Sequence, residues 1–150
     1  IDDLVYAASA DSTVVALEPS TGDLIWKQKI GGGVYATPCV GDTLLFLAAN
    51  DRFLYALNRR DGVEMWRYDC GAIANLAPTL AGPFLYVATR SGKLVALDAD
   101  TGELQSEFTL QASAASSPVY AGGRVYVADI ERRLYCFGQI SMAQTLTDSR

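Results

Sequence analysis

The sequence predicts an all-β chain: a partial β-propeller of four-stranded blades, each about 40 residues long and fewer than four in number. Three observations lead there. Four series keep a common step of 40 residues: Ala16-Leu17, Ala56-Leu57, Ala96-Leu97 and Cys136-Phe137; Gly22, Gly62 and Gly102; Pro38, Pro78 and Pro118; and Tyr6, Phe46, Tyr86 and Tyr126. The segments between turn residues are short β-branched and aromatic runs. No segment sustains the 3.6-residue period of a helix, which excludes helical repeats of similar length.

The chain opens inside a blade, at its second strand. "LVYAAS", "TLLFLAA", "FLYVAT" and "RVYVAD" form this second-strand set, and "TVVAL", "FLYAL", "KLVAL" and "RLYCF" the third-strand set. Both are apolar on successive residues, so both faces should be covered. "DLIWKQKI", "VEMWRYD" and "ELQSEFTL" carry charges at intervals, as an outer strand near solvent does. "YATPCV", "NLAPTL" and "SSPVYA" contain a proline, which has no N–H for a ladder and belongs at a sheet edge. "PSTGD", "RRDGV" and "DADTGE" place glycine where the hairpin between third and fourth strands needs positive φ, so Gly22, Gly62 and Gly102 are expected to behave alike. Trp26 and Trp66 lie just beyond, on the outer strand. There they should be buried between neighbouring blades, with the indole N–H near the wet rim. Ser106 stands at the third such position and implies a looser junction. The small alanine before each turn implies close packing by a neighbouring sheet. The blades are expected over residues 1–138, in units of about 4–42, 43–83, 84–123 and 124–138, with a C-terminal tail over 139–150.

Composition narrows the function. The 150 residues are 50% hydrophobic and 19% charged, with 12 basic against 17 acidic residues and no histidine, a net charge of −5. Nucleic-acid binding needs a basic face and is not expected. The longest apolar runs are too short to span a bilayer as a helix. No basic-then-apolar leader opens the chain, and the first residue is Ile1 rather than Met, so a processed or excised piece is expected. Cys39, Cys70 and Cys136 are odd in number and far apart, which suits buried small residues better than a disulfide framework or a zinc site. Cys136 in particular takes the place of a repeat alanine.

"ALEPSTGDLIW" and "ALNRRDGVEMW" resemble the tryptophan motif of the pyrroloquinoline-quinone-like propeller repeats, A-x-D-x-x-T-G-x-x-x-W. The resemblance covers about Leu4 to Gly138; Asp98 matches the motif aspartate, Glu18 and Asn58 replace it, and Ser106 departs from the tryptophan. The motif is specific for the repeat and not for an activity. The family includes quinone-dependent alcohol and sugar dehydrogenases, a periplasmic lipoprotein that helps assemble outer-membrane β-barrels, sensor domains fused to kinases, and a repeat tail on some acyl-activating enzymes. Its propellers commonly have eight blades, so this chain is expected to be part of a longer propeller, or to close a ring from several copies. The resemblance favours an extracytoplasmic location, whereas unpaired cysteines favour the cytoplasm.

Candidate chemistry is sparse. Loops from an outer to the next inner strand share one propeller face with those between second and third strands. They hold Asp11, Tyr35, Asp51, Arg52, Asn75, Arg90, Lys93, Glu131, Arg132 and Arg133. Tyr35, Arg52, Asn75, Arg90 and Arg132 are the candidate binding residues, for an anionic quinone or a partner's carboxylates. The alternative is solvated loop charge. "IGGGVY" lacks the Gly-Lys-Ser/Thr and helix of a phosphate loop and is expected to be a flexible connection between blades. "DADTGE" places Gly102 fifth, where a calcium loop needs glycine sixth. Without histidine no Ser-His-Asp triad forms within the chain. The quinone dehydrogenases of the family use an Asp base, calcium ligands and often adjacent cysteines, and neither such a pair nor an Asp-calcium cluster is found here. The expectation is a non-catalytic scaffold or sensor module for protein interaction, without cofactor. The alternative is a segment of a dehydrogenase using pyrroloquinoline quinone and calcium. Tyr6, Val15 and Leu17 on the first blade, and Tyr126, Tyr135 and Phe137 on the last, are expected to line apolar open faces. These should drive copies together or be capped by further blades.

Overall fold

The computed structural model describes residues 4–138. Among them are fourteen strands: β1 Val5–Ala8, β2 Thr13–Leu17, β3 Leu24–Lys29, β4 Cys39–Val40, β5 Leu44–Ala48, β6 Phe53–Asn58, β7 Glu64–Asp69, β8 Thr79–Ala81, β9 Phe84–Ala88, β10 Lys93–Asp98, β11 Leu104–Thr109, β12 Val119–Ala121, β13 Arg124–Ala128 and β14 Leu134–Gly138. They form four antiparallel sheets, ordered β1-β2-β3, β4-β5-β6-β7, β8-β9-β10-β11 and β12-β13-β14. These are the blades of a partial propeller, opening at a second strand and described as far as a third. The proline-led segment, last in each 40-residue sequence unit, is the first strand of the following sheet. Pro38, Pro78 and Pro118 each stand one residue before the strand, which lies at the sheet edge.

The repeated residues turn out to share one cross-strand row. Tyr6 pairs with Ala16 and Ala16 with Trp26; Phe46, Ala56 and Trp66 repeat the row. The aromatic rings on either side close to 6.0 Å for Tyr6 and Trp26 and 5.8 Å for Phe46 and Trp66. A larger residue between them would hold the rings apart, which is why the alanine is small. Each third strand also shifts register just after it, at Ala16/Leu17, Ala56/Leu57 and Ala96/Leu97, on the way into the hairpin.

Apolar clusters fill the spaces between successive blades. Between the first two, Val14, Ala16 and Trp26 face Leu45, Leu47, Tyr55 and Leu57. The next holds Phe46, Leu54 and Ala56 against Leu85, Val87, Val95 and Leu97. The last holds Ala88, Leu94 and Ala96 against Val125 and Val127, with Tyr135 and Phe137 partly buried beside them. β5 and β9 are buried along their whole length. Fully burying each such Leu, Val or Phe stabilises by about 1.5–3 kcal/mol, before the cost of ordering the chain.

The outer blades correct the expected open faces. Tyr6 faces the second blade, its hydroxyl donating to the Arg59 carbonyl at 3.2 Å. Tyr135 and Phe137 face the third blade, where Phe108 meets Phe137 edge-on at 4.7 Å. Alternation along a strand sends neighbouring residues to opposite faces, so the open side belongs to the residues between them. On the first blade these are Val5, Val15 and Leu17, and on the last Tyr126, Leu134 and Cys136. Val5 is 47% exposed and Leu134 67% exposed, although their counterparts Leu45 and Leu54 are both at 0%. Cys136 is likewise exposed, contrary to the burial expected of a residue in a repeat-alanine position, because no described blade lies against it. Cys70 is buried and Cys39 half-buried.

The glycine run is also not slack. A Cβ on Gly33 would stand 2.5 Å from the Ala10 carbonyl oxygen, and one on Gly32 2.7 Å from the Asp51 backbone nitrogen. Glycines are needed here because the connection is pressed against two turns, not because it must flex.

Candidate functional site

The turns between second and third strands and the connections entering each new blade lie together on one face, as expected. Backbone hydrogen bonds join them with the repeat: Asn50 N–H to Gly33 O at 2.9 Å, Arg90 N–H to Ile73 O at 3.1 Å, and Ile130 N–H to Ser113 O at 3.0 Å. Each turn ends on one residue of positive φ: Ser12 at 70°, Arg52 at 72°, Gly92 at 80° and Arg132 at 67°. Two candidate arginines thus occupy a backbone conformation that favours glycine.

The structure brings some of the candidate residues together and leaves others apart. Arg90 Nε donates to Asn75 Oδ1 at 3.0 Å, so these two form one polar pair. Arg52 instead turns to the outer strand, where it forms an exposed ion pair with Asp69 at 3.1 Å. Tyr35 is 64% exposed. Arg132 is also exposed. Arg133 binds Asp129 and Glu131, and Lys93 binds Glu107 at 2.9 Å.

Two tyrosine–carboxylate pairs, neither expected from the sequence, anchor this face. The Tyr55 hydroxyl donates to Asp51 Oδ2 and accepts the Gly31 N–H at 3.2 Å. Burial, reinforced by the Asp51 carboxylate, pushes the Tyr55 phenol up to about 12. Tyr135 donates to Asp129 Oδ2 at 2.9 Å and accepts the Gln111 N–H at 3.1 Å. Burial opposes ionisation of Asp129. Hydrogen bonds from the Arg133 backbone, the Tyr135 hydroxyl, the Arg133 guanidinium and the Glu131 N–H outweigh it and hold the carboxyl below its ordinary range. The signal was a tyrosine at the same repeat position in the second and fourth units, where the first and third carry Val15 and Val95. Each phenol ties its own blade to the connection that leads into it.

Among the described residues no group of three or more histidine, cysteine or acidic side chains is placed to hold a metal ion. Asp98 Oδ1 is already taken by three donors of its own turn: the Asp100 N–H, the Thr101 N–H and the Thr101 hydroxyl, at 3.0, 2.9 and 3.1 Å. No helix among the described residues is long and apolar enough to cross a membrane.

The most specific contact lies between blades. The Trp26 indole N–H donates to the Arg59 carbonyl at 2.9 Å, and the Trp66 N–H to the Ala99 carbonyl at 3.2 Å, each acceptor 33 residues on in the next blade's hairpin. The same rings lie flat on the glycine of that hairpin, Trp26 on Gly62 and Trp66 on Gly102. Gly62 and Gly102 both have φ of 74°. So each glycine answers two demands, a left-handed backbone and a surface with no Cβ. Trp26 is only 8% exposed, while Trp66 is half-buried. Gly22 has the same backbone, with φ of 76°, but nothing within 4 Å of where its Cβ would be. At the third junction, where Ser106 replaces the tryptophan, Phe108 packs on Tyr135 and Phe137 instead.

This architecture recurs among solved structures. The chain superposes on BamB from Moraxella catarrhalis with a TM-score of 0.81 and 20% identity, covering 91% of this chain and 44% of that one. It superposes on the computationally designed Ika4 protein with a TM-score of 0.81 and 15% identity, covering 93% of this chain and 87% of that one. Sqt1 of Saccharomyces cerevisiae gives 0.78 at 14% identity, with 89% and 41% covered. At these identities the likeness establishes the propeller fold, and the chain spans less than half the length of the Moraxella protein. No match is found among curated proteins. A family model described as outer membrane protein assembly factor BamB matches residues 2–81 and again 70–140. Matched twice over nearly its whole length, with its tryptophans seated on the glycines of the following hairpins, the chain belongs to this family of pyrroloquinoline-quinone-like propeller repeats.

Proposed function

We propose that this chain is a non-catalytic propeller scaffold for protein–protein interaction, working within a larger propeller or within a ring assembled from its own copies. The observation that carries the reading is the pair of open blade faces. Val5 and Leu134 are 47% and 67% exposed at positions where Leu45 and Leu54 are at 0%. Covering such faces is favourable by about 25 cal/mol for each Å² of apolar surface removed from water. They also lie at opposite ends of the blade series, so a second copy would meet them head to tail. The likeness to Ika4, at 15% identity, supports the propeller fold on which the reading rests. A sensor module would use the same rigid surfaces.

Light scattering on the 150-residue chain tests the reading. At micromolar concentration the mass should be that of a dimer or larger assembly, and Leu134→Asp should lower it. A monodisperse monomer, unchanged by Leu134→Asp, would refute the open-face argument. Phe137→Asp is a different perturbation, because Phe137 packs inward against Phe108, and it should unfold the last blade. As a scaffold the chain is proposed to act without a cofactor. Pyrroloquinoline quinone and Ca²⁺ added together should keep the absorbance of the free mixture. A protein-dependent spectral shift would favour the dehydrogenase segment.

A further inference from the structure

We propose that the groove between the second and third blades, on the face opposite the candidate loops, binds an arginine side chain presented by a partner protein. The inference names the partner's chemistry and so rests on the scaffold reading. Two junctions that the repeat makes comparable differ in what fills the space between blades.

At the junction of the first and second blades an internal arginine fills the corresponding space. Arg59 follows β6, and its Nη1 donates to the carbonyls of Gly41 and Asp42 at 2.8 and 3.1 Å. Its Nε donates to the Tyr6 hydroxyl at 3.2 Å, and its guanidinium carbon lies 5.6 Å from the centre of the Tyr6 ring. The chain thus already holds one guanidinium between an aromatic ring of one blade and a turn of the next.

One repeat later the arginine is gone. Ala99 stands at the Arg59 position, and Phe46 and Gly82 at those of Tyr6 and Asp42. A groove of about 350 Å³ opens there, lined in part by these three residues. Val40, Leu44, Leu80 and Pro83 supply apolar wall. The ionisable side chains of its lining are Asp42 and Asp100, both exposed and both acidic. Asp100 replaces Arg60 of the earlier junction, so the sequence Arg59-Arg60 becomes Ala99-Asp100 and the charge reverses.

This combination selects arginine over other cations. An apolar wall suits the three methylenes of the stem. The planar, weakly hydrated guanidinium loses less on leaving water than a compact ammonium, and its fork pairs with carboxylates in a fixed geometry. The volume lies at the small end of the range for ligand pockets, enough for one such side chain and its flanking backbone.

Calorimetric titration of the intact chain with acetyl-Gly-Arg-Gly-amide and its citrulline and lysine counterparts tests the proposal. The arginine peptide should bind about tenfold more tightly than the uncharged citrulline peptide, and the lysine peptide should be the weaker cation. Asp42→Asn with Asp100→Asn, both at exposed positions, should remove that preference without altering thermal unfolding. Ala99→Arg should refill the groove from within and abolish binding. The proposal is overturned if arginine and citrulline peptides bind alike or not at all, if lysine binds as well as arginine, or if binding survives these variants. The scaffold reading depends on the mass measurement instead, so a failure of the peptide leaves it standing.

Discussion

Replacing Gly62 and Gly22 by alanine separates two penalties that the sequence writes as one. Each glycine closes the equivalent hairpin of its own blade, with φ of 74° at Gly62 and 76° at Gly22, so Cβ strain should be equal, about 1 kcal/mol. Their surroundings differ. At Gly22 the new methyl meets nothing within 4 Å, whereas at Gly62 it would stand 2.6 Å from Trp26 Cε3 and 2.9 Å from Cδ2 and Cζ3. Carbon atoms pack at about 3.5–4.0 Å, so the indole must retreat by roughly 1 Å. That movement stretches the 2.9 Å hydrogen bond from Trp26 to the Arg59 carbonyl, a loss of about 1 kcal/mol. It also disturbs the packing of Trp26 on Tyr6, and forcing a filled core costs about 1–3 kcal/mol. Gly22→Ala should therefore cost about 1 kcal/mol and Gly62→Ala about 3 kcal/mol or more. Gly102→Ala should follow Gly62, because its Cβ would stand 2.6 Å from Trp66 Cε3. Urea unfolding gives the free energies, and iodide quenching shows whether Trp26 leaves its seat. If Gly22→Ala and Gly62→Ala cost the same within about 0.5 kcal/mol, the seating of the indole on glycine contributes nothing and the reasoning is refuted.

Trp66→Ala should cost about 3 kcal/mol in the same assay, since it removes the ring on Gly102 and the hydrogen bond to Ala99. A cost under about 1 kcal/mol would show that the second blade junction does not depend on it. Arg132→Gly should raise stability by about 0.5–1 kcal/mol by relieving a φ of 67°, and a loss of stability would contradict the strain argument. Asp129 is held below its ordinary value of 3.8, so its contribution is present above that pH and is lost as pH falls through the lowered folded value. Acid unfolding should thus be shallower in Asp129→Asn, and an unchanged acid limb would dismiss the role of this carboxylate. The Tyr55 phenol, pushed up to about 12, should ionise above the ordinary phenol value of 10 in an alkaline titration. Its share of stability should fade as pH rises from about 10 towards 12, because the unfolded phenol loses its proton first.

By itself the sequence determined the strands, their grouping in blades and the hairpin glycines. These are local matters: a 40-residue step, a proline without an N–H, and a residue type that tolerates positive φ can be read without a neighbour. It also placed Trp26 and Trp66 between blades. What sits opposite them was not legible, because the partner glycine lies 36 residues on and only the stacking of sheets brings Gly62 under Trp26. The open faces show the same boundary. In a strand apolar on successive residues the alternation marks two sides but does not say which side meets the next blade. Only the tertiary structure could assign Tyr6 and Phe137 inward and Val5 and Leu134 outward. "IGGGVY" read as slack for want of a motif, and the turns at Ala10 and Asp51, far from it in sequence, made it a tight contact. The groove at Ala99 is a space rather than a residue. Arg59 fills the corresponding space at the preceding junction and Ala99 does not, and a missing side chain acquires meaning only once the walls around it are in place.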